Sequence, residues 1–184
     1  MAAALLAAAG DARGRAHAAA ASEEPGFAGP GAPRYDAGGA LLRPEGYRQW
    51  VFVGASLGLS YAAGAPDPGP GAFHNVYVRP ESYDTFLRTG RFPDRTVLVL
   101  ELYEAAEKVA PSRHGRFEGK RIAVEAAVKD TRLVDGWGYF SFGDGSVPAA
   151  RAFPRGACFE CHREHAAVDN VFVQFSPVLR DGGH

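Results

Sequence analysis

The chain has 184 residues, with 20 Lys and Arg offset by 21 Asp and Glu for a formal net charge of -1. This length fits one domain of ordinary size, and so balanced a charge gives no long-range field for a nucleic acid or an anionic membrane. Since no apolar run approaches the roughly 20 residues that cross a bilayer, the sequence predicts neither a nucleic-acid nor a membrane partner.

The first 33 residues are rich in Ala, Gly and Pro and show no periodicity. Residues 1–22 contain a short apolar segment and the small-residue pattern Ala16-His17-Ala18, which is typical of a cleavage site, but they lack the usual basic start. They are either a disordered arm or the back half of an export signal that begins upstream. The C-terminal motif described below favours export. We therefore predict an arm over residues 1–33 and a single domain over residues 34–184.

The first elements of this domain are a strand, a loop, a second strand and a helix. Residues 47–53 (YRQWVFV) are aromatic and β-branched and end at Gly54, which predicts a strand. Residues 62–71 hold three Pro and three Gly and predict a loop. Residues 75–78 (NVYV) then predict a short strand, followed by a helix that Pro80 opens and Gly90 ends.

The strongest strand pattern covers residues 96–103 (TVLVLELY). Its alternation places Leu98, Leu100 and Leu102 on one face and Val97, Val99, Glu101 and Tyr103 on the other. Residues 121–129 fit a strand or a helix, whereas residues 137–142 (WGYFSF) follow an Asp-Gly turn and predict a strand. We interpret these last two segments as antiparallel partners. The predicted fold class is α+β, a mainly antiparallel sheet with a few helices.

The motif that carries chemistry is Cys158-Phe159-Glu160-Cys161-His162, the C-x-x-C-H pattern of c-type haem attachment. Two thiols one helical turn apart can add to the two vinyl groups of one porphyrin edge, and the adjacent His then lies beneath the iron. A redox dithiol would need a βαβ setting, and a zinc site would need further thiols or histidines nearby. The sequence therefore predicts one covalent haem c with His162 as the axial ligand, in a C-terminal attachment segment.

The second axial position decides what such a haem can do. Met1 is the sole methionine, which argues against a His/Met electron-transfer cytochrome. His165 lies on the same helical face as His162 and cannot reach the opposite side of the iron. His74 and His114 remain possible distal ligands, while His17 and His184 lie near the chain ends. We favour a five-coordinate iron with an open site.

The motif, together with Asp169 and VFVQFSPVLR at residues 171–180, resembles the C-terminal signature of the cytochrome P-460 and cytochrome c′-beta family. Residues 47–54, 73–102 and 123–130 resemble the family's upstream segments in the same order. This resemblance implies a largely antiparallel β fold, a homodimer, an export signal with periplasmic location, and a five-coordinate haem bound by the motif His.

The resemblance also suggests which branch of the family is closer. In the P-460 branch a lysine cross-links to the porphyrin and the enzyme oxidises hydroxylamine, but the matching position here is Leu100 and residues 51–107 contain no lysine. That branch's pocket carboxylate would align near Arg91, so we expect no such acid. The sequence is more similar to cytochrome c′-beta, whose apolar distal pocket selects small neutral ligands. Cofactor contacts are expected from Leu100, from Phe92 and Tyr61 as aromatic caps, and from Arg91 as a hydrogen-bond donor.

The leading expectation is a periplasmic mono-haem protein that binds nitric oxide or another small diatomic ligand, for detoxification, storage or sensing. The first alternative is an enzyme that oxidises hydroxylamine or nitric oxide, for which a distal acid or base is needed. Arg91, His74 and Glu101 are its sequence candidates. The second alternative is an electron-transfer cytochrome. No redox partner is indicated by the sequence.

Overall fold

A computed structural model describes residues 31–59 and 69–180 and confirms the α+β class. Within these ranges the centre of the fold is a five-stranded antiparallel sheet with strands in the order β2-β3-β4-β5-β6, beside a two-stranded sheet of β1 and β7. The strands are β1 (Leu41–Leu42), β2 (Val51–Leu57), β3 (Ala72–Val78), β4 (Val97–Ala106), β5 (Phe117–Lys129), β6 (Trp137–Ser141) and β7 (Ala149–Ala150). The helices are α1 (Pro80–Thr89), α2 (Phe159–His165) and α3 (Pro177–Arg180).

Helix α1 agrees with its sequence signals. Pro80 occupies its first turn, where a missing backbone N–H costs nothing, and Gly90 ends it in the left-handed conformation at φ 70°. None of the helices in the described ranges is long and apolar enough to span a bilayer.

The predicted strand at residues 47–53 is wrong in its first half. Tyr47–Gln49 form a 3₁₀ helix, and β2 starts at Val51. Tyr47 is buried for another reason: its hydroxyl donates to Glu101 at 2.6 Å and its ring packs edge-on against Trp50. The aromatic character of Tyr47 therefore reflects its buried contacts and not extended backbone.

Strand β5 resolves the ambiguity of residues 121–129 in favour of a strand, and it pairs with β6 as predicted through Lys129 and Trp137. Each strand of the large sheet pairs with the strand before it in the sequence. Two rows of cross-strand neighbours position the site. One row contains Val78, Leu98, Ala127 and Tyr139, and the other contains Val76, Leu100, Glu125 and Ser141.

The two faces of the sheet are covered by different parts of the chain. The face that carries Leu98 packs with α1, α2 and the C-terminal segment, through Phe86, Phe159 and Leu179. The face that carries Val97 and Val99 packs against the segment before β2. The predicted separation of the leucines from the valines of residues 96–103 is confirmed.

Candidate haem site

The C-x-x-C-H motif is held against the core by its own second residue. Phe159 is buried in the core cluster beneath the Leu98 face, and the Arg155 guanidinium lies 4.4 Å from the centre of its ring. Cys158 directly precedes α2. Cys161 and His162 follow it by three and four residues, so the first helical turn brings both to the side of the helix on which Cys158 lies. The local sequence thus folds as the attachment chemistry requires.

Both cysteines and His162 line a cavity of about 450 Å³, a size typical of ligand and cofactor sites. The leucine face of the sheet bounds it on one side, with Leu98, Leu100 and Leu102 among the lining residues. The C-terminal segment, including Phe172 and Phe175, bounds it on the other side. The structure therefore places Cys158, Cys161, His162 and Leu100 around one cavity.

The His162 ring is oriented by a backbone carbonyl. Its Nδ1 lies 2.9 Å from the Asn170 carbonyl oxygen, so Nδ1 carries the proton and Nε2 keeps its lone pair. Tyr139 and Phe172 hold the ring from two sides, with centroid distances of 4.3 Å and 4.5 Å. Burial lowers the pKa of His162, against a smaller opposing effect of the Asn170 bond. This neutral, oriented imidazole is the form that binds iron.

The donor set fits haem better than it fits a bare metal ion. Cys158 and Cys161 form no disulfide, and burial, followed by the charges of Glu125 and Cys161, raises the pKa of Cys158. A raised thiol pKa disfavours direct metal ligation by Cys158, because ligation needs the thiolate. In the part of the chain that the structure describes, no three His, Cys, Asp or Glu side chains are grouped to bind a metal ion.

Sequence reasoning missed an acidic group in the cavity. Glu125 lies on β5 directly opposite Leu100 and lines the cavity. It forms no hydrogen bond or ion pair with another described residue, and burial raises its pKa. Glu125 was not among the sequence candidates for a distal acid or base, which were Arg91, His74 and Glu101. The signal was the alternation Ala123, Glu125, Ala127, which only becomes visible once residues 121–129 are known to be a strand.

His74 also faces the cavity, from β3, where its neighbours across the strands are Leu102 and Ser56. Its Nδ1 lies 3.1 Å from the Ala72 carbonyl oxygen, and burial lowers its pKa. Tyr139, which contacts the His162 ring, lies three strands away from His74 and four residues further along the strand direction. The two positions are therefore separated by about 14 Å across the strands and about 13 Å along them.

This separation does not favour His74 as a ligand of the same iron as His162. Side chains stand roughly perpendicular to a sheet, whereas two nitrogen atoms on opposite sides of one metal ion lie only about 4 Å apart, since each metal–nitrogen bond is about 2 Å. His114 is exposed in the β4–β5 hairpin and His165 is exposed on α2, so neither faces the cavity.

Several predicted contact residues do not reach the cavity. Phe92 is buried in the core, stacked on Phe86 at 4.4 Å and packed edge-on against Trp137. Arg91 is exposed. Glu101 faces the opposite side of the sheet, because it is one residue from Leu100 on the same strand. Tyr61 lies outside the described residues.

Comparison with known proteins identifies the family of the chain. The family model described as Cytochrome P460 matches residues 44–173, a span that includes His74, Leu100, Glu125 and the whole C-x-x-C-H motif. No curated protein sequence matches the chain.

Proposed function

Because this chain belongs to the cytochrome P460 family, a family of haem proteins, we propose that it is a periplasmic mono-haem c-type cytochrome. In this proposal Cys158 and Cys161 hold the porphyrin by thioether bonds and His162 binds its iron. Haem would supply a metal centre at which small molecules bind or exchange electrons.

The observation that carries the proposal is the common cavity of the two thiols and the His162 imidazole. Nε2 of His162 is left available because Nδ1 donates to the Asn170 carbonyl. Among the histidines that the structure describes, His74 lies at the far end of the cavity and His114 and His165 lie outside it, which supports a five-coordinate iron.

The lining of the cavity supports a neutral ligand such as nitric oxide. Leu98, Leu100 and Val76 present aliphatic surface, and a polar ligand that left atoms without hydrogen bonds there would lose about 1–3 kcal/mol for each. The unpaired Glu125 carboxyl adds to this selectivity, because a second negative charge beside it is disfavoured when Glu125 is ionised. Nitric oxide is small and nearly apolar and avoids both costs.

Optical spectra of the ferric and ferrous protein, with and without nitric oxide, test the proposal. We expect the ferrous spectrum of a five-coordinate high-spin haem and a large change on adding nitric oxide, with weak binding of anions. A six-coordinate low-spin spectrum in both oxidation states would contradict it and would favour the electron-transfer alternative.

Glu125 gives specific support to a second candidate function, an oxidoreductase acting on hydroxylamine or nitric oxide. Such chemistry needs a group that accepts or delivers protons, and a cavity carboxyl with a raised pKa is suited to that role. Leu100 counts against a cross-linked cofactor, because leucine has no nucleophilic amine. Steady-state assays with hydroxylamine and an artificial electron acceptor decide between the two. Turnover on the order of 1 per second, within the range of ordinary enzymes, that Glu125→Gln abolishes would favour the enzyme.

We further propose a homodimer and an exported mature chain. The proposed dimer rests on membership of the cytochrome P460 family and on the resemblance to cytochrome c′-beta. Sedimentation at micromolar concentration tests the dimer, and a monomer would contradict it. Mass spectrometry of the chain recovered from the periplasm would show whether the N-terminal arm has been removed.

A further inference from the structure

The carbonyl that orients His162 belongs to a tight turn with an unusual backbone. Asp169 and Asn170 have φ values of 50° and 59°, and the Val171 N–H donates to the Val168 carbonyl at 2.8 Å. Two consecutive left-handed residues define a type I′ turn, in which Asp and Asn are among the favoured residues. Asp and Asn adopt this backbone more readily than other non-Gly residues, and it persists where the surrounding structure holds it.

Asp169 is the residue through which the rest of the molecule holds this turn. Its Oδ2 accepts from Lys129 Nζ at 2.8 Å and from the Phe92 N–H at 3.1 Å. Lys129 Nζ also donates to the Phe92 carbonyl at 2.7 Å. The Asp169 side chain is 12% exposed and that of Lys129 is 25% exposed, so water screens this pair less than a surface ion pair. The turn is thereby tied to the end of β5 and to the loop after α1.

We propose that Lys129 and Asp169 are positioning residues for the axial ligand: by holding the Asn170 carbonyl, they set the strength of its hydrogen bond to His162. This inference rests on the proposed role of His162 as the iron ligand and deepens it. A firm bond from Nδ1–H to a carbonyl raises the basicity of a ligating imidazole and fixes its orientation. The Lys129–Asp169 pair would therefore change the electron donation of His162 to the iron through the Asn170 carbonyl, without contacting the haem.

The test uses the haem-loaded protein and two readouts other than activity, the iron–histidine stretching band of the ferrous form and the reduction potential. Lys129→Met removes the cation, and Asp169→Asn removes the charge of the acceptor. We expect each variant to lower the stretching frequency and raise the potential, because a looser carbonyl makes the imidazole a weaker electron donor. Lys129→Arg, which keeps the charge, should stay closer to the wild type.

Arg132→Met is the matched control, since it removes a nearby cation that pairs with Asp130 at 2.6 Å and contacts neither Asp169 nor Asn170. An equal shift in this control, or an unchanged band and potential in both Lys129→Met and Asp169→Asn, would overturn the inference. Failure of both variants to fold would also overturn it, because the pair would then be purely structural. If the wild type itself shows no iron–histidine band, the proposed function fails instead.

Discussion

The two faces of the central sheet each hold a carboxylate, and the surroundings of the buried Glu101 differ from those of the half-buried Glu125. Glu101, 1% exposed, accepts hydrogen bonds from Tyr47 at 2.6 Å and Arg48 at 2.7 Å. Glu125, on the next strand and the opposite face, has no partner of either kind among the described residues. Buried charges are normally paired where they serve stability. The contrast shows that the Glu101 face, called the closed face from here on, pairs its carboxylate, whereas the Glu125 face, called the open face, presents an unpaired carboxyl to the cavity.

The pKa values of the two groups express the same difference. Burial alone would raise the pKa of Glu101, but the hydrogen bonds from Arg48 and Tyr47 outweigh it and hold the pKa below its usual value. At Glu125 burial acts unopposed and raises the pKa. One carboxylate therefore favours the folded state when ionised, and the other opposes it.

The largest change is expected from removing the two thiols beside the open face, which in our proposal hold the haem. Cys158→Ala combined with Cys161→Ala should abolish covalent haem attachment, because no other cysteine is present in the chain. Acid–acetone extraction should leave colour on the wild-type protein and none on the double variant. Release of the pigment from the wild type into the solvent would contradict covalent attachment.

The next largest effect is expected on the closed face. Glu101→Gln should destabilise the fold at neutral pH by about 2 kcal/mol, since it weakens hydrogen bonds to a buried charge while the 58% exposed Arg48 regains water. The depressed pKa means that this stability is present above the ordinary value of 4.5 and is lost as the pH falls below it. Denaturant unfolding at pH 7 and pH 4 measures the change, and a loss as large at pH 4 as at pH 7 would contradict it.

On the open face the same type of substitution should have the opposite sign. Glu125→Gln should stabilise the protein at neutral pH by about 1 kcal/mol, because it removes a partly buried charge that lacks a partner. With a raised folded-state pKa, the carboxyl's favourable contribution exists at low pH and is lost as the pH rises. The two proteins should therefore converge in stability on acidification, as thermal unfolding between pH 4 and pH 8 can show. Destabilisation at pH 8 would indicate an unrecognised partner of Glu125.

Placing a lysine on the open face should change the stability less but should shift the absorption spectrum of the haem clearly. Leu100→Lys would put an amine directly across the strands from Glu125, within reach of an ion pair. The loss of apolar contact and the gain of the pair should nearly cancel. A displaced Soret band would confirm that position 100 contacts the porphyrin, and Leu100→Met serves as the control of similar volume. An unchanged spectrum would place Leu100 away from the haem.

The parts of the site that local sequence determines could be predicted, and the parts that depend on strand pairing could not. Cys158, Cys161 and His162 lie within five consecutive residues, and α1 begins at Pro80 and ends before Gly90. A local sequence pattern was therefore enough to single out the motif and the helix. Glu125 was missed because its position depends on register: a shift of one residue would move it to the other face.

The contact between His162 and Asn170 could not be predicted either, since it depends on a turn with two left-handed residues. Phe92 was assigned to the cavity as an aromatic residue that could cap the iron. Its side chain is instead core, while its backbone holds Asp169. Residue type limits the contacts that a side chain can make, but the packing of segments distant in the sequence decides whether that side chain lies in the core or in the cavity.

The strand order of the large sheet has a consequence for how the protein is made. From β2 to β6 every strand pairs with its immediate predecessor, so the sheet forms between strands that are neighbours in the sequence, which keeps the entropic cost of loop closure low. The attachment motif comes after all of these strands in the chain. We therefore expect the face that carries Leu98, Leu100 and Leu102 to fold before the thioether bonds form, so that the porphyrin binds to a sheet that is already folded.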